Sequence, residues 1–426
     1  MKNLRIVSSS LRPRQAYRRP FSSVAAAVED PPNKSPIYVA ATRQHVGKTT
    51  TSLAIMSGLQ KRFDRVGFIK PVGQVCLTVQ DEWGNDIDVD KDVVVVRNHF
   101  GLDHCPYQHM SPVRIPPGYT RDYVDGHITS SSQHEDILES FEVIDSVSDV
   151  TLCEGTGHCA VGSIVGASNA RVASWIGGKM ILVANGGLGS TFDELELNRV
   201  LCDYHNVEVA GVIVNKVQHD KYEQTQYYIE KALETNWGIP LLGCIPDRPF
   251  LGCPALVDLE RLFEGSFLLA TKECQKLKHY SVRDINLVAT SLAVFLRNLR
   301  SNQDRTLYLC HSSRVDIMLG FLMEYQRTKA LGKPWEAALV VCGREEYELP
   351  DNVMDMYLKC EAPPMLVCRE GTKATMERIM AYTPKHNNED THRLEIAVNH
   401  YEPFIDFDLL LERTGNAIPA AKSASA

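Results

Sequence analysis

Residues 36–63, P-I-Y-V-A-A-T-R-Q-H-V-G-K-T-T-T-S-L-A-I-M-S-G-L-Q-K-R-F, constrain this chain more than any other stretch. Residues 37–40 are a short apolar run of the kind that forms a buried parallel strand. Gly47, Lys48, Thr49 and Thr50 then open a segment in which Leu53, Ala54, Met56 and Leu59 recur at helical spacing. A strand, a tight turn and a helix start together make an anion site. Unpaired backbone N–H groups and the helix dipole point at phosphate, and Lys48 adds a fixed charge. Thr49 supplies the hydroxyl that a phosphate loop places on Mg²⁺. The pattern G-x-x-x-x-G-K-[ST] lacks its first glycine, because that position is Thr42.

Beyond this helix the chain alternates between strand and helix patterns. Residues 66–72 form a second strand ending in Lys70-Pro71, and a polar segment (81–90) leads into Asp92 and the valine run 93–96. A Pro-rich irregular segment spans 105–126, and an amphipathic helix is predicted over 135–147. Strands are expected at 150–155, 180–184, 207–214 and 241–245, with helices at 192–204 and 222–234. This order argues a parallel sheet covered on both faces, with ligands beyond the carboxyl ends of its strands. Lys48, Lys70, Glu154 and Asn215 all follow strands, so the reading brings them together. The texture restarts after residue 267. Strands at 307–310, 338–342 and 365–368 and helices at 315–325 and 372–382 imply a second, smaller α/β unit. The predicted divisions are 35–265 for the first unit, 280–411 for the second and 412–426 for a loose tail.

At 426 residues there is room for both units, and no apolar run nears the ~20 residues that cross a bilayer. The first 28 residues stand apart. They hold six basic residues (Lys2, Arg5, Arg12, Arg14, Arg18, Arg19) and five serines, and no acid precedes Glu29. Such a segment without an apolar core predicts an organellar transit peptide over 1–30 and a mitochondrial matrix location, with plastid import as the alternative. Arg19-Pro20-Phe21-Ser22 resembles a mitochondrial processing site. A basic arm on nucleic acid is the other reading of the same charges. Subtracting those six charges from the net −8 leaves about −14, which argues against nucleic-acid binding by the body of the protein. The twelve cysteines contain no C-x-x-C pair and read as buried small apolar residues.

By Asn215 the constellation resembles the dethiobiotin synthetase family of phosphate-loop proteins. It is most similar to the relatives found as an N-terminal domain of some phosphotransacetylases, over about residues 37–262. The resemblance implies a parallel-sheet P-loop NTPase fold of the α/β class, binding ATP and Mg²⁺. It assigns Val46, Gly47, Lys48, Thr49 and Thr50 to the phosphates, and Lys70, in K-P-V, to the transferring phosphoryl group and substrate. It assigns Thr49, Asp92 and Glu154 to the metal, the last in E-G-T-G, and Asn215 to the adenine edge. Asp88 and Asp90 are alternatives to Asp92, and a turn cap is the other reading of Asn215. Hard oxygen donors suit Mg²⁺, and Lys48 and Lys70 suit charge building on phosphoryl oxygens, the catalytic role expected of them.

The sequence also departs from that family. Gln44 and His45 stand where the family has Thr and Glu, so the substrate-contacting Thr is absent. Arg43 is either a surface residue or an arm reaching phosphate across a dimer. Thr120, Arg121 and Thr156 are the candidates for the substrate side, Arg121 as a carboxylate grip. His99, His104, Cys105 and His109 fit no common zinc spacing. Residues 281–411 resemble the DRTGG domain that follows in those phosphotransacetylases, chiefly over 363–385, although the five-residue motif itself is absent. The expectation is therefore a homodimeric Mg-ATP protein that phosphorylates a small carboxylate or carbamate. The alternative is a nucleotide-dependent regulatory or assembly factor. Acetyl transfer is not expected.

Overall fold

The computed structural model describes residues 34–263, 267–268, 282–301, 305–359, 362–382, 384 and 390–418. The expected transit segment and residues 419–426 lie outside them. Among the described residues no helix is long and apolar enough to cross a membrane.

The first unit is built on β1 (Ile37–Ala41), β2 (Val66–Ile69), β7 (Val150–His158), β8 (Lys179–Asn185), β9 (Val209–Val217) and β10 (Leu241–Pro246). They lie in the order β10-β9-β8-β1-β7-β2, every neighbouring pair parallel. Alternation along β1 splits the core in two, as pleating requires. Ile37, Val39 and Ala41 face α1 (Lys48–Gln60). Tyr38 and Ala40 face the cluster that includes residues of the helices Asn169–Trp175, Gly189–Tyr204 and Tyr222–Trp237. α1 is buried almost all round, as a helix without a clear polar stripe must be. Burial of Leu53, Ile55, Met56 and Leu59 contributes on the order of 2 kcal/mol each.

The strand expected over 66–72 divides. After β2 the chain turns aside, and β3 (Val72–Gly73) pairs instead with β6 (Val113–Arg114). The polar segment is an antiparallel hairpin, β4 (Cys76–Gln80) with β5 (Asp86–Asp90), whose tip is held by Asp81 accepting from the Trp83 and Asn85 amides. The valine run lies in α2 (Lys91–Phe100), capped by the Asp90 carboxylate on the Asp92 amide.

A second sheet contains β11 (Phe267–Leu268), β12 (Asp284–Leu287), β13 (Thr306–His311), β14 (Ala338–Cys342) and β15 (Met365–Val367). Its order is β11-β15-β14-β13-β12, parallel except at β11. The last stretch of the chain departs from the expected divisions. The helices Thr391–Tyr401 and Phe407–Thr414, read as the end of the second unit and the start of a tail, pack into the first unit's core through Leu394, Val398, Phe407 and Leu410. Ile405 bridges Gly243 at the edge of β10, and the Asp406 amide donates to the Leu242 carbonyl at 2.8 Å. Phe407 lies against Gly58, where a side chain would collide with its ring. Glu402 accepts from Ser57 at 2.7 Å and pairs with Lys61. Composition could not announce this return, because its partner surface lies about 350 residues earlier.

Candidate functional site

The pairing of β1 with β7 is irregular where the site begins: Val39 lies opposite Glu154 but Ala41 opposite His158, so β7 carries extra residues just after Glu154. Thr42, in place of the usual glycine, is buried. Its amide donates to the Val183 carbonyl at 2.9 Å and its hydroxyl donates to Glu194 at 2.9 Å. That side chain ties the loop to the helix Gly189–Tyr204, a job glycine could not do. Arg43 also meets Glu194, at 3.5 Å within its own chain.

The end of β9 shapes the loop. The Asn215 amide donates to the Val46 carbonyl at 2.7 Å, and the Lys216 ammonium donates to the His45 carbonyl at 2.7 Å. In a planar trans peptide the N–H points away from the C=O. Drawing these two carbonyls toward β9 therefore turns the Val46 and Gly47 amides the other way, into the cavity. The backbone bends to allow it: His45 and Gly47 have φ of 63° and 93°. Any side chain at Gly47 would strike the Asn215 amide. α1 begins without a capping side chain and without an acid in its first turn, which leaves its N-terminal N–H groups for an anion.

Lys48 and Thr49 both turn onto one carboxylate oxygen. The Lys48 ammonium pairs with Glu154 Oε1, and the Thr49 hydroxyl donates to the same atom at 2.9 Å. Glu154 is fully buried, and its other oxygen, Oε2, has no hydrogen-bond partner. Lys70 pairs with Asp92 and with Asp90 Oδ1 at 3.0 Å. Asp90, one of the alternatives to Asp92, is otherwise occupied: it accepts from the Gln74, Val75 and Asp92 amides at 2.9–3.2 Å. Asp88, the other, is held by the Thr78 hydroxyl on the exposed hairpin. Burial pushes the Lys48 ammonium down, with Glu154 pulling against it and Lys70 adding to the fall. Burial also opposes charge on Lys70, but Asp92, Glu154 and Asp90 outweigh it and its pKa is raised.

Lys48, Thr49, Lys70, Asp90 and Asp92 line one cavity of about 660 Å³ that also reaches Thr156, Asp247, Arg248, Arg393 and Tyr401, with Glu154 buried behind Lys48 and Thr49. The donor set fits magnesium. An orphaned buried carboxylate oxygen, a hydroxyl and a second carboxylate are hard ligands, fewer than fill an octahedron, as suits an ion that keeps waters and phosphate oxygens. Among the described residues no three His, Cys, Asp or Glu side chains gather as a metal cage.

Three expected site residues behave differently. Asn215 is fully buried and all its polar atoms are engaged, by Val46, the Tyr401 hydroxyl and the Lys216 amide, so its contacts make it a brace of the loop where an adenine contact was expected. Thr120 and Arg121, on the helix Tyr119–Val124, do not line the cavity, because β3 pairs with β6 and the chain then turns away. Thr156 does line it, though its hydroxyl donates to the Val72 carbonyl at 2.5 Å. His104 and His109 have separate partners, the Val66 carbonyl and the Ser140 hydroxyl. Cys159 packs against Cys202, sulfur to sulfur 3.7 Å. Sequence reasoning missed Asp90 as the second carboxylate on Lys70, and Lys216 and Tyr401 as part of the loop's support. The D-V-D-K-D spacing and the N-K pair after a strand were the available signals for the first two.

Residues 35–255 match an AAA domain family. A phosphate acetyltransferase of Synechocystis sp. is 23% identical over 390 residues, 88% of this chain and 51% of its own. The chain thus spans about half the length of that relative. An ATP-dependent dethiobiotin synthetase of Nitrosopumilus maritimus is 20% identical over 236 residues, 54% of this chain and 94% of its own. Among solved structures, the MinC:MinD cell division protein complex of Aquifex aeolicus is 16% identical with a TM-score of 0.30, covering 51% of this chain and 83% of that one.

Proposed function

The chain belongs to the AAA domain family matched over residues 35–255, and from that premise we propose that it binds Mg-ATP and transfers the terminal phosphoryl group to a small carboxylate or carbamate. The convergence of Lys48, Thr49, Lys70 and Asp92 on one cavity carries the reading, and above all the buried Glu154 behind Lys48 and Thr49, whose Oε2 is unpartnered. Similarity to an ATP-dependent dethiobiotin synthetase supports the substrate class. Magnesium, when bound, supplies positive charge to the phosphates; Thr49, Asp92 and Glu154 would hold it. The Val46 and Gly47 amides and Lys48 grip phosphate oxygens as fixed donors. Lys70, held charged by its carboxylates, faces the same cavity from the carboxyl end of β2 and neutralises charge that builds during transfer. The absent Thr at position 44 or 45 argues for an acceptor other than that of dethiobiotin synthetases.

Mg-ATP should raise the melting temperature of the full chain, and Lys48→Ala should abolish that rise. Glu154→Ala should remove most of its dependence on magnesium. Small carboxylates or amines should stimulate ATP turnover. Binding without any stimulated turnover would favour the second reading, a nucleotide-dependent regulatory factor, for which the extent of similarity to the phosphate acetyltransferase, 88% of this chain and so across both units, speaks.

A further inference from the structure

The phosphate loop is braced from a place no nearby sequence suggests. Asn215 has two amide hydrogens. One goes to the Val46 carbonyl at 2.7 Å and the other to the Tyr401 hydroxyl at 3.0 Å. Tyr401 ends the helix Thr391–Tyr401, which follows the second sheet in the chain and lies along α1. Its ring is buried, and its hydroxyl stands over Gly47, 3.3 Å from where a β-carbon there would lie. The same helix holds the far wall of the cavity. Arg393, buried, donates to the Cys253 carbonyl and meets Asp258 at 3.5 Å. Asp258 lies on the helix Leu256–Leu262, whose Leu256 and Leu259 pack with Leu307, Leu309 and Val340 of the second sheet.

We infer that Tyr401 is a positioning residue of the nucleotide site: by holding the Asn215 amide it fixes the rotation that draws in the Val46 carbonyl and so aims the Gly47 N–H at phosphate. This rests on the Mg-ATP reading and extends it. Without the Tyr401 hydroxyl the Asn215 side chain keeps two of its three hydrogen bonds, to Val46 and Lys216, about a terminal torsion that is broad and shallow. The peptide plane between Val46 and Gly47 is then held less firmly, and so is its preset donor. The relation runs both ways. A ligand that needs the Val46–Gly47 peptide in this orientation favours the state in which Tyr401 is docked, so phosphate in the loop stiffens a helix that adjoins the second unit.

The test uses the full chain and Mg-ATP. Tyr401→Phe keeps the ring and its packing and removes only the hydroxyl. Binding should weaken about three- to tenfold, as loss of the hydroxyl's hydrogen bonds to Asn215 and Thr50, both acting through a second residue, implies. A merely structural role would lower the melting temperature without ligand and leave the affinity alone. Asn215→Ala should weaken binding on its own, and Tyr401→Phe should add little to it, because both remove the same brace. Amide exchange over residues 391–401 should slow when Mg-ATP is added to the parent and slow less in Tyr401→Phe. Parent-like affinity in Tyr401→Phe, with Lys48→Ala unable to bind, would overturn this inference and leave the nucleotide site standing. No binding by the parent would overturn both.

Discussion

Two parallel sheets end in loops of charged and polar residues, and the two sets of loops treat their charges differently. At the first, Glu154 is fully buried and the side chains of Lys70 and Asp90 are 7% and 2% exposed. At the second, His311 is the last residue of β13 and meets Glu346, their side chains 30% and 62% exposed, while Arg314 pairs with Asp316 nearby at 29% and 44%. Taking ions out of water costs several kcal/mol each, so a fold pays it only where something is gained. The pairs at the second are local and at the surface, and although Glu370 Oε2 there also lacks a partner, its side chain is 36% exposed and its other oxygen meets Arg378. At the first, the unpartnered oxygen belongs to a fully buried carboxylate, Glu154, an arrangement that a bound cation would complete.

The comparison breaks most readily at the lysine. Lys70→Met leaves Asp90 buried beside Asp92 with no cation, and should cost about 3 kcal/mol in urea unfolding, whereas Arg314→Met should cost less than about 1 kcal/mol. Equal losses would mean that the two loop sets differ in nothing that matters to stability. The glycines sharpen the contrast. Gly47 and Gly343 both have positive φ, 93° and 83°, and a side chain at either meets a neighbour. At Gly47 that neighbour is the fully buried Asn215 amide; at Gly343 it is the His311 ring, whose partners Ser313 and Glu346 are surface residues that can move with it. Gly47→Ala should therefore cost about 3 kcal/mol and abolish ATP binding, and Gly343→Ala about 1 kcal/mol, both read from denaturation midpoints.

The smallest effect is in pH. His400, half-buried with its ring nitrogen on the Pro246 carbonyl at 2.9 Å, has its pKa lowered, first by burial. The unfolded chain then takes up a proton before the folded one does. Stability should fall as pH drops below about 6.5 and level off once the folded form is protonated too. His400→Gln should flatten that decline.

Much of this was legible. A four-residue apolar run, a glycine-lysine-threonine turn and a helix of leucine and methionine locate the loop, and period alone gives five further strands of the first sheet. Strand ends predict where Lys70 and Glu154 meet. Three things were not legible, each for a physical reason. The hairpin β4–β5 hides in a polar segment because its faces are largely exposed, so no apolar alternation marks it. Asn215 could be placed at the site, but whether its amide faces ligand or loop depends on a carbonyl 169 positions away. The closing helices belong with α1 because Gly58 leaves a hollow that Phe407 fills, and a lone glycine in a helix announces only a weak spot.

That last contact has a bearing on how the protein is made. The outer side of α1 is covered by residues 394–411, so a growing chain on the ribosome carries an open hydrophobic seam until those residues have emerged. The second sheet is complete by Val367, well before the first has its cover. The usual sequence, in which the amino-terminal part settles first, is inverted here. A chaperone has its longest opportunity at the very surface that later carries the nucleotide loop.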